Sequence, residues 1–246
     1  MYTELVRTKE LTSADRAAMF ALLDLHFDGA KPDVFNTDLG LKNWVLLLRD
    51  GEKGSANSEL KGFSTMLMYD VTFEGEVLTV VYSGDTIMDP SAWSHSGLSQ
   101  AWVKAVNQLK AQYKGERLYW LLISSGFRTY RFLPTFWKAF YPRYNELTPP
   151  RMQRLMQFLS QRQFGEWYDE AAGVVRFPSP QSLRGHLGGI PAERMRNPHV
   201  RFFSENNPGA AQGDELVCLT EISENNLTKA GQRMWFGQVA LSSRQG

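Results

Sequence analysis

The chain has 246 residues, of which 43% are apolar and 22% charged, with a formal net charge of +1. That length gives one large domain a real core and leaves two domains cramped; the composition is far from the low-hydrophobicity signature of disorder. A charge so near zero gives no global field to draw nucleic acid or an anionic membrane as the main partner.

Met1 to Arg7 has no apolar leader core, and the longest apolar runs, such as Leu118 to Ile123, fall well short of the roughly 20 residues of a membrane span. Cys218 is the single cysteine, which excludes an intrachain disulfide and a cysteine-built zinc site. A reducing compartment fits, and the cytoplasm is the expected location.

Taken in chain order, Thr12 reads as the N-cap of a helix, with Asp15 three residues on to complete a capping box. Ala14, Ala18, Leu22 and Leu25 share one face, and Gly29 and Pro32 stop the helix near Asp28. A loop to about Gly40 is expected next. Trp44 to Leu48 reads as a short strand bounded by the turn pair Asp50-Gly51 and a polar loop from Glu52 to Ser58. Phe63, Thr65, Leu67, Tyr69 and Val71 alternate with Ser64, Met66, Met68 and Asp70, the period of a strand. Glu74-Gly75-Glu76 connects tightly to a further strand from Val77 to about Met88, giving an antiparallel meander.

After Pro90 the period becomes helical: Leu98, Ala101, Trp102, Ala105, Val106 and Leu109 fall on one face. Leu118 to Ile123, apolar throughout, suits a strand covered on both faces. Strand, helix and buried strand together predict one parallel βαβ crossover in an otherwise antiparallel sheet. Phe127 to Tyr144 holds eight aromatics in an aromatic helix that Pro134 divides or kinks. Arg151 to Gln161 is amphipathic, with Met152, Leu155, Met156 and Leu159 on one face, and Trp167–Phe177 and Glu215–Ile222 read as strands. The Gly- and Pro-rich stretch from Pro178 to Gly213 is expected as an inserted loop region, either a binding loop or partly disordered.

Walker A, G-x-G-x-x-G, G-x-S-x-G and H-E-x-x-H motifs are all absent, and His26, His95, His186 and His199 lie too far apart for a local metal motif, so no metal is expected. The junction of strand and helix between Val77 and Val106 is where chemistry is expected. Backbone N–H groups and the helix dipole there can seat a phosphate, and Ser91, Ser94, Ser96 and Gly97 are small enough for close approach. Gly84, inside a good strand, predicts a bulge or a close backbone approach by a ligand.

The order of helix, meander, strand ending in Met88-Asp89-Pro90, loop, helix, buried strand and aromatic helix resembles the GNAT acyltransferase superfamily over about residues 10 to 145. The resemblance implies an α/β (α+β) fold with a mixed, mostly antiparallel twisted sheet and one parallel crossover, flanked by helices. It implies a single domain over 1–246, its core completed by strands near 167–177 and 215–222, with 178–213 inserted. The family's cofactor loop reads Arg/Gln-x-x-Gly-x-Gly/Ala; here Ser94-His95-Ser96-Gly97-Leu98-Ser99 keeps one glycine, with Ser94 in the basic or amide position and Ser99 as the last small residue. By that likeness, Met88 and the segment Ser94 to Ser99 would hold the donor, an acyl-CoA or an acyl-phosphopantetheine carrier protein, and Ser124 and Ser125 would bond its pantetheine arm.

Acyl transfer to an amine needs a base for the amine proton and an acid for the leaving thiolate. Asp85 is the first base candidate, placed on the strand face of Val77, Val81, Ser83 and Ile87, where desolvation would raise its pKa; His95 is the second. The family often places its acid tyrosine after the second parallel strand, which selects Tyr130, with Tyr141 behind it. Each candidate also has a structural reading: a buried Asp accepting backbone N–H groups, a core tyrosine with a satisfied hydroxyl, serines that cap the next helix.

The expected activity is N-acyl transfer to an amine of a small molecule or peptide. A medium or long acyl chain is suggested by the aromatics and the Met-rich helix, a distant likeness to fatty-acyl enzymes that lipidate peptide natural products. Two alternatives stand beside it: a non-catalytic binding protein on a degenerate GNAT scaffold, and a synthase of acyl-homoserine-lactone type.

Overall fold

The computed structural model describes residues 1–55, 58–92, 97–185 and 189–236. After strand β1 (Tyr2–Arg7) comes α1 (Ser13–His26), capped as its sequence implies. Thr12 Oγ1 accepts the Asp15 N–H at 3.0 Å while the Asp15 carboxylate accepts the Thr12 N–H. The buried face is Met19, Leu22, Leu23 and His26; Leu25 is exposed, so the apolar stripe is rotated from the expected one. A two-residue strand β2 (Phe27–Asp28) precedes Gly29, which turns the chain at φ 84°.

The loop expected up to Gly40 is instead a second helix, α2 (Pro32–Gly40). Pro32 sits in its first turn, where a missing N–H costs nothing, and Phe35 and Leu39, four residues apart, are buried. Two turns carry too few apolar residues to show a period in the sequence.

The meander forms as β3 (Trp44–Asp50), β4 (Glu59–Phe73) and β5 (Glu76–Met88), with Glu74 and Gly75 both at positive φ in the β4–β5 hairpin. Helix α3 (Gly97–Lys110) returns the chain to β6 (Arg117–Ser124), which pairs parallel with β5. The aromatic segment is broken into α4 (Phe127–Tyr130) and α5 (Phe132–Phe136), and Trp137 and Tyr141 form isolated bridges to Leu227 and Leu219. Then α6 (Pro150–Phe164) packs on the sheet. The strand expected over Trp167–Phe177 is a hairpin of two short strands, β7 (Tyr168–Asp169) and β8 (Val174–Val175), because the Asp169 carboxylate and carbonyl accept the Ala172 and Gly173 N–H groups and turn the chain between them.

Between β8 and β10 (Glu215–Glu221) the described residues of 178–213 are ordered structure rather than a loose loop. Strand β9 (Ser182–Leu183) pairs with β2, and α7 (Pro198–Asn206) is capped by Asn197, whose Oδ1 accepts the His199 N–H at 3.0 Å. Val200 and Phe203 anchor α7 against Tyr130 and Phe140. The last described element is α8 (Lys229–Trp235).

The main sheet has the order β1-β3-β4-β5-β6-β10-β8-β7, and β5–β6 is its one parallel pair among the described strands. This is the mixed, mostly antiparallel sheet flanked by helices that the sequence predicts. On one face α1 and α2 cover Val45, Leu47, Phe63 and Ile87, and α6 covers Val80, Tyr82, Leu121 and Val217. On the other, α3, α4 and α7 cover Leu46, Met66, Val81, Trp120, Leu122 and Leu216.

Candidate active site

The parallel pairing of β5 and β6 runs from Leu78↔Arg117 to Ser83↔Leu122 and stops, although both strands continue. Beyond that point β5 pairs only with β4 (Thr86, Ile87 and Met88 opposite Ser64, Phe63 and Gly62), and β6 only with β10. The cause lies in β5. Between the pairs Met66↔Ser83 and Ser64↔Thr86, two residues, Gly84 and Asp85, stand opposite Thr65 alone. Such a bulge bends its strand and increases the twist, so β5 turns away from β6.

A cavity of about 890 Å³ occupies the opening. Its wall includes Trp102, Trp120 and Trp137 from the core of the α3 layer, and Phe27, Phe35 and Asp38 from the α1–α2 layer, so it passes through the sheet. The tryptophans form a chain of ring contacts, with centroids 4.6 Å apart for Trp102–Trp120 and 5.0 Å for Trp120–Trp137. Trp120 Nε1 donates to Ser83 Oγ at 2.8 Å, at the last parallel pair.

Gly84 lies in the bulge expected of it, and its close neighbours are protein side chains. A Cβ there would stand 2.6 Å from Lys42 Cε and 2.6 Å from Thr65 Oγ1. The Lys42 side chain is wholly buried, pairs with Asp38 Oδ1 at 2.6 Å and lies 5.1 Å from the Tyr82 ring centre. An ammonium in that position is stable only because it is paired.

Asp85 does not share the face of Val81 and Ser83 as alternation implies. Val81 packs under α3, Ile87 under α1, and the bulge between them puts Asp85 beside the charges of α2. Burial raises its pKa to about 6; the Asp38 charge adds to the rise and Lys42 opposes it. Glu215, at the start of β10, also lines the cavity and is pushed up to about 8 by burial, then by the charges of Asp85 and Asp38. Both carboxyls are thus held above the usual range, Glu215 further than Asp85, so Glu215 keeps its proton to the higher pH.

Met88, Leu98, Ser99, Ser124 and Ser125 line the cavity. Gly97 is the first residue of α3, while Ser94, His95 and Ser96 lie outside the described residues. Ser124 Oγ accepts the Gly126 N–H at 3.2 Å and donates to the Gly126 carbonyl at 2.7 Å, which fixes the turn into α4. Tyr130 is not brought to Asp85. It is fully buried, donates its hydroxyl to the Pro142 carbonyl at 3.0 Å, and is absent from the cavity wall, as is Tyr141. Burial pushes the Tyr130 phenol far up. Of the eight aromatics, Phe132, Phe136 and Trp137 reach the cavity; the others and the Met-rich face of α6 do not.

Nothing in the spacing of Asp38, Lys42 and Glu215 along the chain marks them as neighbours of Asp85. His26, one of four histidines scattered along the sequence, lines the cavity at the end of α1, is 6% exposed, and its Nε2 has no hydrogen-bond partner among the described residues. Burial lowers its pKa, against the pull of Asp89. Glu215 had one legible signal, a charge heading the apolar run Leu216 to Leu219.

No protein-family model and no curated protein matches the chain. Solved structures resemble it loosely. A Trypanosoma brucei acetyltransferase is 17% identical, with 60% of this chain covering 100% of that one at a TM-score of 0.40. A Mycobacterium tuberculosis protein solved with CoA and NLQ is 9% identical, with 91% of this chain covering 100% of it at 0.39. An aminoglycoside acetyltransferase from an uncultured soil metagenomic sample, solved with sisomicin, is 14% identical, with 60% covering 96% at 0.38. The chemistry of the site is read from its own geometry.

Proposed function

We propose that the chain is an N-acyltransferase of GNAT type, working in the cytoplasm, that moves an acyl group from acyl-CoA or an acyl-carrier protein to the amine of a small molecule or peptide. The observation that carries this reading is the cavity through the opened parallel pair, with tryptophans on one side of the sheet and a carboxylate of pKa about 6, Asp85, on the other. A thioester arm is a chain of amides, and the strand edges left between β5 and β6 beyond Ser83 suit it as a sheet edge suits an added strand. Gly97, Leu98 and Ser99, opening the fourteen-residue α3, lie where the donor's phosphates would meet backbone N–H groups. Trp102, Trp120 and Trp137 give the acyl chain an apolar wall, and the volume favours a medium or long chain over acetyl.

In this reading the amine nitrogen attacks the thioester carbonyl carbon, the C–N bond forms, and the C–S bond breaks to release the thiolate. Asp85 takes the proton that the nitrogen loses. The departing thiolate, whose thiol has an ordinary pKa of about 8.5, is more basic than the Asp85 carboxylate, so the proton passes on to the sulfur and the carboxylate is restored. Tyr130 has no part in the step.

Release of free thiol, measured with a panel of acyl-CoAs and amines, tests the proposal. Turnover that collapses in Asp85→Asn with the fold intact is expected; no release with any donor counts against it. The buried placement of Tyr130 favours the second reading, a non-catalytic acyl-CoA-binding protein, in which CoA binds, nothing turns over, and Asp85→Asn changes nothing.

A further inference from the structure

Two runs of aromatic rings line the cavity, one on each face of the sheet. On the α3 face Trp102, Trp120 and Trp137 stand beside the acyl chain. On the opposite face a second run starts next to Asp85. Lys42 marks its beginning: its Cε lies 2.6 Å from where a Cβ on Gly84 would stand, and its ammonium lies 5.1 Å from the Tyr82 ring centre. From Tyr82 the rings pass edge-on to Phe164 at 5.4 Å, from Phe164 to Phe177 at 6.2 Å, and from Phe177 to Trp167 at 5.6 Å. Tyr82, Phe177 and Trp167 all line the cavity.

This second run ends at the surface. Tyr82 is buried, whereas Trp167 is 41% exposed, and Leu41, on the same cavity wall, is 60% exposed. Large apolar side chains left at the mouth of a cavity mark a surface that a ligand covers. The segment after Phe177 bounds the same space: Leu183 pairs with Phe27 across β9 and β2, and both line the cavity. A Cβ on Gly29 would stand 2.8 Å from the Pro180 carbonyl oxygen, so this side wall is packed tightly onto the chain after β2.

Charge narrows the occupant further. Asp33, Asp38, Asp85 and Glu215 line the cavity, and the Lys42 ammonium is committed to Asp38 at 2.6 Å. Among the described lining residues the one Lys or Arg is Arg128, on α4 across the sheet. A substrate carboxylate on the Asp85 side would meet acidic side chains and no cation to pair with, a cost that an amine lacking a carboxylate avoids.

We propose that the acceptor is an aralkylamine, its nitrogen at Asp85, its aromatic ring along Tyr82, Phe177 and Trp167, and no carboxylate beside the amine. This deepens the acyltransferase reading and rests on it for the word acceptor, but the ring site itself does not depend on any acyl transfer.

The test is calorimetric binding to the full chain without an acyl donor, using 2-phenylethylamine, ethylamine and phenylalanine. Burial of the ring should make 2-phenylethylamine bind roughly tenfold tighter than ethylamine, and the added carboxylate should make phenylalanine bind roughly tenfold weaker than 2-phenylethylamine. Trp167→Ala, at a part-exposed position, should weaken 2-phenylethylamine about fivefold with the circular dichroism spectrum unchanged. Phe177→Leu, which keeps an apolar side chain but removes a ring, should act in the same direction. Binding of 2-phenylethylamine no tighter than that of ethylamine overturns the proposal, whatever the variants do. So does phenylalanine that binds as tightly as 2-phenylethylamine, and so do folded variants that bind 2-phenylethylamine as the wild type does. If 2-phenylethylamine binds in the expected order but no donor releases thiol in its presence, the ring site stands and the acyltransferase reading fails. If thiol is released as readily with ethylamine as with 2-phenylethylamine, that reading stands and the aralkylamine proposal fails.

Discussion

The two halves of the β5–β6 crossover obey different rules. From Leu78 to Ser83 the strands pair in parallel, and the pairing is locked at its start: the Asp70 carboxylate accepts the Lys114 and Gly115 N–H groups and the Thr79 hydroxyl, which also holds down its own pKa. Gly115 lies so close to β5 that an added Cβ would meet the Leu78 carbonyl carbon and the Thr79 nitrogen. From Gly84 onward the bulge opens the pair, and the groups crowded around it are the side chains of Lys42 and Thr65 rather than backbone. One half is fastened for stability. The other gives up pairing to make room for a ligand and to desolvate carboxylates, a local cost that sites of chemistry commonly carry.

The largest effect should come from breaking the chemistry of the open half. Asp85→Asn removes the base and should lower kcat for thiol release by roughly 100-fold or more, with folding intact. In the wild type kcat/KM should fall as the pH drops through about 6, where Asp85 gains its proton, and reach a plateau above.

Next in size is the fastened half. Gly115→Ala forces a methyl against backbone that cannot move without unpairing β5 from β6, and should cost about 1–3 kcal/mol in urea unfolding. Glu215 gives an effect of opposite sign. Its pKa rises from 4.5 to about 8 on folding, so the folded chain holds the proton longer than the unfolded one. The stability it contributes is complete below about 4.5 and is lost as the pH rises to about 8. Glu215→Gln should remove that slope, leaving the variant about 1–2 kcal/mol more stable than wild type at pH 9 and similar at pH 4, once solvent reaching the cavity is allowed for.

The smallest effect is expected from Gly84→Ala. The neighbours at 2.6 Å are side-chain atoms, Lys42 Cε and Thr65 Oγ1, rather than backbone, so the loss of stability should be smaller than that of Gly115→Ala. Gly84→Ala and Gly115→Ala add the same methyl, and a large gap between them is what the contrast of the two halves requires. Equal losses would mean that the opening is packed as rigidly as the paired half.

The fastened half was the more legible in sequence. Alternation in β4 and β5, the apolar run of β6 and the helical spacing of Leu98 to Leu109 report burial, and burial is what periodicity records. The bulge at Gly84 was legible because a glycine inside a strand is otherwise unfavourable. The charged group was not, because Asp38 in α2, Lys42 in the turn after it, Asp85 in β5 and Glu215 in β10 meet only through the tertiary fold. Helix α2 was lost to brevity, and α7 to the Gly and Pro residues around it. Tyr130 is marked only by its position in a family pattern, and position along the chain does not say that its side chain packs under α7, away from the opening.

The central claim is that the open half of the crossover seats the thioester donor. Amide hydrogen exchange of the full chain, with and without dodecanoyl-CoA and with no amine present, tests it most directly. Donor seated there gives new protection over Gly84–Met88 and Ile123–Ser125, with Leu78–Ser83 unchanged. Bound donor with no protection at those two strand ends would contradict it.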